Sequence, residues 1–524
     1  MKIRKNLIYT IISIFSCVII MTVAWQPIQA SAKENTYYVD SKNGNDNNDG
    51  KSPNTPWKSL AKVNETEFKP GEKILLKVGS VWNGESLHPK GSGQIGSPIV
   101  IDKYGDSKSN EKPMLNGCGL VENVIQLYNQ EYWEINNLEI SNFSKGDNAL
   151  KDAPNRIAVK INGSDYGTMH HIHLKNLYIH DVNGTLNNKL NGGIMIFAGG
   201  DKIPTNYDDV LIEGCNFERV DRSGIKAVAA GIWCNRDEKT TKHKWYPSKN
   251  VIIRGNKLND IGGDGITTRD TDGALIEHNV VTNSNMRCYK VNAKWNVAIW
   301  TFQADNTVIQ YNEAAYTRST YDGQGFDCDY LCNNTLMQYN YSHDNEGGFM
   351  LIMNNQNYNN HPVIRYNISQ NDGTRTFQFN TGVAKDIEIY NNTIYTDKNV
   401  RPQIFNQGSK GIVNKYNVYN NLFYITRGTL GNVLFAGNFD RNAYFGGINK
   451  INSDKNAITS GPKLFSVGSG LNGINTLDGY KLTKNSPLIG KGLLKNKEIK
   501  RDFFGEKINS DSNVTDIGAS VFVK

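Results

Sequence analysis

The chain has 524 residues, 49 Gly and 26 Tyr, and a formal net charge of +7. That length exceeds one ordinary globular core, and the Gly, Tyr and Asn content suits many short strands and tight turns rather than long helices. Lys2, Arg4 and Lys5 carry three of the seven charges, so the rest of the chain is only mildly basic, which argues against a nucleic-acid partner.

Those three basic residues precede an uncharged apolar run from Leu7 to Trp25, and Ala30-Ser31-Ala32 then supplies a small-residue cleavage site before Lys33. The run is also long enough to span a bilayer, which is the alternative of an uncleaved anchor. The small residues directly after it favour a signal peptide over residues 1–32 and a secreted, extracellular, monomeric product with no membrane contact after cleavage.

Residues 33–112 read as an N-terminal cap and first coils. Thr55-Pro56-Trp57 through Val63 predicts a short amphipathic helix with Thr55 as N-cap and Pro56 at the first helical position. Such a helix covers strand edges that would otherwise pair with other chains.

From 113 to 460 a phrase recurs: two or three alternating apolar residues followed by Asn. Examples are E-I-N-N-L-E-I at 134–140, V-I-I-R-G-N-K-L at 251–258 and V-I-R-Y-N-I-S at 363–369. The motif asparagines are Asn137, Asn176, Asn216, Asn256, Asn279, Asn312, Asn340, Asn367, Asn391 and Asn420. A strand-like repeat of this length and variability predicts a right-handed parallel β-helix with loops inserted between coils. Asn suits the position because it tolerates a left-handed turn and can hydrogen-bond stacked copies of itself. The closing stretch, 461–524, loses the repeat and reads as a C-terminal cap.

Stacking the coils predicts the site. Strands 231–235, 265–269, 298–302, 325–329 and 348–352 align with Ile232, Ile266, Ile299, Phe326 and Phe349 inside. The outward column is then Trp233, Thr267, Trp300, Asp327 and Met350, and beside it run Asn235, Arg269, Phe302, Asp329 and Ile352. Aromatics beside carboxylates suit sugar rings and acid–base chemistry. Asp327 and Asp329 stand roughly 6.5–7 Å apart along a strand, a spacing that leans towards an inverting glycosidase. Asp264, at the head of a strand, and Glu346, opening the next coil, are the alternates, each equally readable as a turn residue. Trp233 and Trp300 are the expected sugar platforms. Trp245, in the basic and aromatic insertion 234–249, is an expected cleft wall, although a solvated loop explains that insertion as well.

The His180-Asp181 and His343-Asp344 pairs read as turn groups, and Asp305-Asn306 with Asn333-Asn334 as a stacked turn ladder. Cys118, Cys215, Cys234, Cys288, Cys328 and Cys332 lack a zinc pattern and read as core thiols.

The phrases Y-Y-V-D-S-K-N-G-N-D-N-N-D-G (37–50), G-I-W-C (231–234), I-G-G-D-G-I (261–266), D-G-Q-G-F-D-C-D-Y (322–330) and D-I-G-A (516–519) resemble secreted bacterial β-helix carbohydrate enzymes. The family the chain most resembles at this stage is glycoside hydrolase family 141, which implies carboxylate catalysis in the groove on a polysaccharide and needs no cofactor. The rival reading is a polysaccharide lyase on uronic-acid polymers. There Arg269, Lys290 or Lys294 would serve as base, and Asp322, Asp327 and Asp329 would hold Ca²⁺. A non-catalytic glycan-binding protein would keep the tryptophans without needing adjacent acids.

Overall fold

The computed structural model describes residues 35–106, 111–148, 151–228, 244–291, 293–353, 358–380, 383–408 and 415–523. The expected signal peptide, Trp233, Cys234 and Asn235 lie outside them. No described helix is long and apolar enough to cross a membrane.

Three parallel sheets run the length of the solenoid. The first starts at Thr36–Val39 and ends at Gly437–Asp440, the second runs from Val81–Asn83 to Ala443–Gly446, and the third from Asn123–Tyr128 to Thr429–Gly431. From Asn123 on, successive coils contribute strands to all three sheets in turn, which is the predicted right-handed parallel β-helix. Register explains the core. In the first sheet Ile172, Val210 and Val251 stack in line, as do Leu174, Ile212, Ile253, Ile276, Ile309, Met337, Ile364, Ile389 and Val418. All are buried in one continuous cluster, each apolar side chain contributing about 1.5–3 kcal/mol by leaving water.

The repeat asparagine divides into two positions. The left-handed residue is the one before the buried amide: Gly255, His278, Tyr311, Tyr339, Tyr366, Asn391, Asn420 and Arg441. The amide ladder runs through Asn256, Asn279, Asn312, Asn340, Asn367, Asn392, Asn421 and Asn442. Each Oδ1 accepts the backbone N–H and Nδ2–H of the preceding member at 2.9–3.0 Å. Asp454 closes it by accepting from Asn442. Asn137, Asn176, Asn391 and Asn420 therefore hold the turn, Asn216 is exposed, and the two expected roles meet at Asn391 and Asn420, where Asn420 Nδ2 donates to Asn391 Oδ1 at 3.0 Å. The His-Asp pairs do sit at matching turns, His180 Nδ1 to Asp181 at 2.7 Å and His343 Nδ1 to Asp344 at 2.8 Å. Asn333 donates to Asp305 at 2.7 Å and Asn334 to Asn306 at 3.0 Å, the expected turn ladder. The five described cysteines are free thiols, four of them buried.

Both ends differ in detail from expectation. The helix is Leu60–Glu65 with Ser59 as N-cap, its Oγ accepting from Lys62 N at 3.1 Å. Thr55 closes a turn from Ser52 and Pro56 follows it outside the helix, because Asp46 accepts from the N–H groups of Lys58 and Ser59 and Trp57 bridges to Val39. Leu60 and Val63 still cover the core. The stretch from 461 does not simply close the end; it runs back along the coils. Gly518 N and Leu493 N donate to Asn420, Ala519 N donates to Thr393, and Ile474 N reaches Glu313. Leu494, Ile499 and Phe503 cover the stacked Tyr339, Tyr366, Tyr390 and Tyr419.

Candidate active site

Register on the third sheet fixes which side chains share an outer column. Lys226, Thr267, Trp300, Asp327, Leu351, Gln378 and Asn406 follow one another on neighbouring strands. The Thr267–Trp300–Asp327 order matches the sequence reading. The coil before it does not: Ser223–Val228 pairs with Ile266–Arg269, so Lys226 holds the place expected for Trp233. Both segments carry a Gly-Ile pair, and only the length of the following loop tells them apart. The last expected coil is one residue out of step, since Met350 pairs with Phe326 inside and Leu351 takes the outward position.

This column floors a cavity of about 360 Å³. Asp264, Asp322, Asp327 and Asp329 line it, with Lys189, Trp295, Trp300, Tyr321, Gln378 and Asn380. A larger cavity of about 620 Å³, by Tyr424, Phe445 and Pro462, contains Lys463 but no carboxylate and so offers no acid pair.

The four acids are not equivalent. Asp264 is buried and held by three contacts: it pairs with Lys189 Nζ at 2.9 Å and accepts from Trp300 Nε1 at 3.1 Å and Val297 N at 3.3 Å. Lys189 also donates to Trp295 O at 3.3 Å. Asp264 thus binds the inserted loop carrying Lys189 to the aromatic wall. Asp327 forms the floor, 3% exposed, with Oδ1 finding no hydrogen-bond partner among the described residues. Burial, then repulsion from Asp329 and Asp322, holds its carboxyl well above the usual range.

Asp322 and Asp329 are only half-buried and open to the cavity. Burial pushes Asp329 up to about 7, with Asp322 and Asp264 adding repulsion against the Tyr330 N–H bond and Lys189. Burial likewise lifts Asp322 to about 6, moderated by Lys189 and Arg375. The loop bearing Asp322 is pinned: the Arg375 guanidinium donates to the carbonyls of Gly347, Tyr321 and Asp322 at 2.9–3.1 Å. Gly323 turns at φ 79°, where a Cβ would meet Ser319 O at 2.0 Å. Trp295 and Tyr321 are over half exposed at the mouth, rings 6.5 Å apart.

Other expected residues lie elsewhere. Glu346 is exposed and accepts from Ser319 N at 2.8 Å, outside the cavity lining. Arg269 does not face the acids: it pairs with Asp270 at 3.0 Å, donates to Gln303 and lies over Phe302. Trp245 donates to Asp270 at 3.4 Å instead of walling the cleft. Lys294 sits 3.3 Å over the Tyr321 ring and Lys290 over Tyr289. Among the described residues, one group brings three His, Cys or carboxylate donor atoms within 4.8 Å of one another, and it is Glu134, His171 and His173, not the cavity acids. Sequence reading passed over Lys189, Trp295, Tyr321 and Gln378. Trp295 and Tyr321 had a usable signal, a large aromatic beside Asn296 and beside Asp322 in inter-strand segments.

No family model matches the chain. It is 30% identical to a lacto-N-biosidase of Bifidobacterium longum subsp. longum, over 92% of this chain and 36% of that protein. The chain is similar to lacto-N-biosidases. The crystal structure of a GH136 lacto-N-biosidase from Eubacterium ramulus, in native and selenomethionine forms, matches with a TM-score of 0.60 at 28% identity. That match covers 71% of this chain and 65% of that one. The chain spans about a third of the length of its curated relative. The likeness thus falls to β-helix glycosidases of family 136, and the expected resemblance to family 141 is not supported. The lyase reading loses ground with it; of its proposed bases Arg269 is tied to Asp270 away from the acids, while Lys294 lies over Tyr321 at the cavity mouth.

Proposed function

We propose that the chain is a glycoside hydrolase that cleaves a glycosidic bond in a complex glycan, with Asp322 and Asp329 as the reacting carboxyls. The observation carrying this reading is the pair of half-open acids, raised to about 6 and about 7, in an aromatic-walled cavity. Near neutral pH their different environments leave Asp329 the better proton holder and Asp322 the better carboxylate. Asp329 then protonates the leaving oxygen while Asp322 meets the developing positive charge at the sugar carbon, directly or through a water. Asp327, its carboxyl held well above the usual range by burial, keeps the floor polar beneath them. Lys189, ion-paired with Asp264, fixes the cavity edge. Trp295, Tyr321 and Trp300 offer apolar faces to pyranose rings.

The substrate class we propose is the one named for the relatives, a glycan bearing lacto-N-biose, released as the disaccharide. Secretion as a monomer behind a cleaved leader, free of the membrane, belongs to the same proposal. The test is product analysis on lacto-N-biose-bearing oligosaccharides and on neutral and uronic polysaccharides, following the absorbance of unsaturated uronates. Free disaccharide without that absorbance supports the reading; rising absorbance abolished by a chelator overturns it in favour of a calcium-dependent lyase.

A further inference from the structure

A second cluster lies on the outer face of the first sheet, away from the acids. Strands Trp133–Asn136, Thr168–Lys175 and Asn206–Glu213 are adjacent, with His173 opposite Glu134. One donor atom each from Glu134, His171 and His173 falls within 4.8 Å of the others. His171 Nε2 stands 3.2 Å from Glu134 Oε1, His171 Nδ1 2.8 Å from Asp209 Oδ2, and His173 Nε2 2.9 Å from Asp209 Oδ1. The two imidazole centroids are 3.8 Å apart.

Both ring nitrogens of His171 face carboxylates: Nδ1 is held by Asp209, which turns Nε2 towards Glu134 Oε1. An ion bound to His171 Nε2 and Glu134 Oε1 would join the two groups directly. The spacing fits: tetrahedral bonds of about 2.0–2.1 Å place neighbouring donor atoms about 3.3 Å apart. Lys175 Nζ holds the other Glu134 oxygen at 2.8 Å and fixes that carboxylate's orientation, as outer partners of metal ligands do.

We propose that Glu134, His171 and His173 bind one divalent transition-metal ion of zinc type across two adjacent coils, with Asp209 of the next coil orienting the His171 ring. Imidazole and carboxylate together suit zinc and its neighbours rather than calcium.

The test uses the full, tag-free chain stripped with a chelator, titrated calorimetrically with Zn²⁺ and unfolded thermally over a zinc series. One equivalent should bind saturably and the unfolding temperature should climb with zinc concentration. His173→Ala and Glu134→Gln should each weaken binding at least tenfold, and His278→Ala, at a turn outside the cluster, should not. Glu134→Gln keeps size and shape, so it carries the comparison if His173→Ala fails to fold. Absence of a saturable equivalent, or equal affinity in wild type and Glu134→Gln, overturns the proposal.

Discussion

Two lines of side chains follow the same coil repeat and do opposite things. Along one corner, Asn256 through Asn442 repeat one residue, and each amide pairs with the next. Along the third sheet's outer column, Lys226, Thr267, Trp300, Asp327, Leu351, Gln378 and Asn406 repeat no residue, and a buried carboxylate oxygen is left without a partner. The ladder converts coil spacing into stability. The column, through Asp327 and the Asp322 and Asp329 that flank its strand, sets raised carboxyls side by side, which costs stability and leaves protons available for chemistry.

Breaking the column at its reacting groups should have the largest effect. Asp322→Asn and Asp329→Asn should each lower kcat by about 10²–10⁴-fold, with unfolding temperature unchanged or raised; steady-state kinetics beside thermal unfolding checks both. Asp327→Asn, in the floor, should lower kcat less than either.

Breaking the ladder should do the reverse. Asn312→Ala removes the acceptor of the Asn279 N–H and amide and the donor to Ile276 O. At about 1–3 kcal/mol for each orphaned buried group, the loss should be about 2–5 kcal/mol in denaturant unfolding. Activity per folded molecule should persist.

Truncating the mouth sharpens the contrast between chemistry and binding. Trp295→Ala should raise KM by about 3–10-fold with little change in kcat, the scale of one aromatic contact.

The sign of the pH effect separates the two regions further. Asp322, Asp327 and Asp329 all sit above their ordinary value, so their contribution to stability is full at acid pH and is lost as pH rises through about 6 and about 7 for Asp322 and Asp329. Asp327→Asn should therefore raise the unfolding temperature by a few degrees at pH 8 and by less at pH 5. The kcat/KM profile should fall below about 6 as Asp322 gains a proton and above about 7 as Asp329 loses one. The smallest effect is expected from Glu346→Gln, which removes a contact to Ser319 outside the cavity and should leave kcat within about twofold.

The fold was legible because alternation and repeat length are carried by every coil, and Ile253, Ile276 and Ile309 announce their own stacking. Of the site, Asp327, Trp300 and Asp264 were legible for the same reason, being at fixed positions on repeated strands. Register failed where loops vary. Lys226 displaced Trp233 because an insertion follows the strand, and Met350 displaced Phe349 because both are apolar and either alignment buries one. Lys189 and Arg375 were invisible, since an ion pair 75 residues apart and a guanidinium on backbone carbonyls leave no periodic trace. The ladder's shift from Asn391 to Asn392 was hidden by the Asn-Asn pair itself.

The central claim is that Asp329 donates the proton in a glycosidic cleavage. Its most direct test compares Asp329→Asn with wild type on two lacto-N-biosides, one with a nitrophenyl leaving group and one with a sugar alcohol. A good leaving group needs no proton, so the account predicts a small loss on the first and a loss of about 10²–10⁴-fold on the second. Equal losses on both would contradict it.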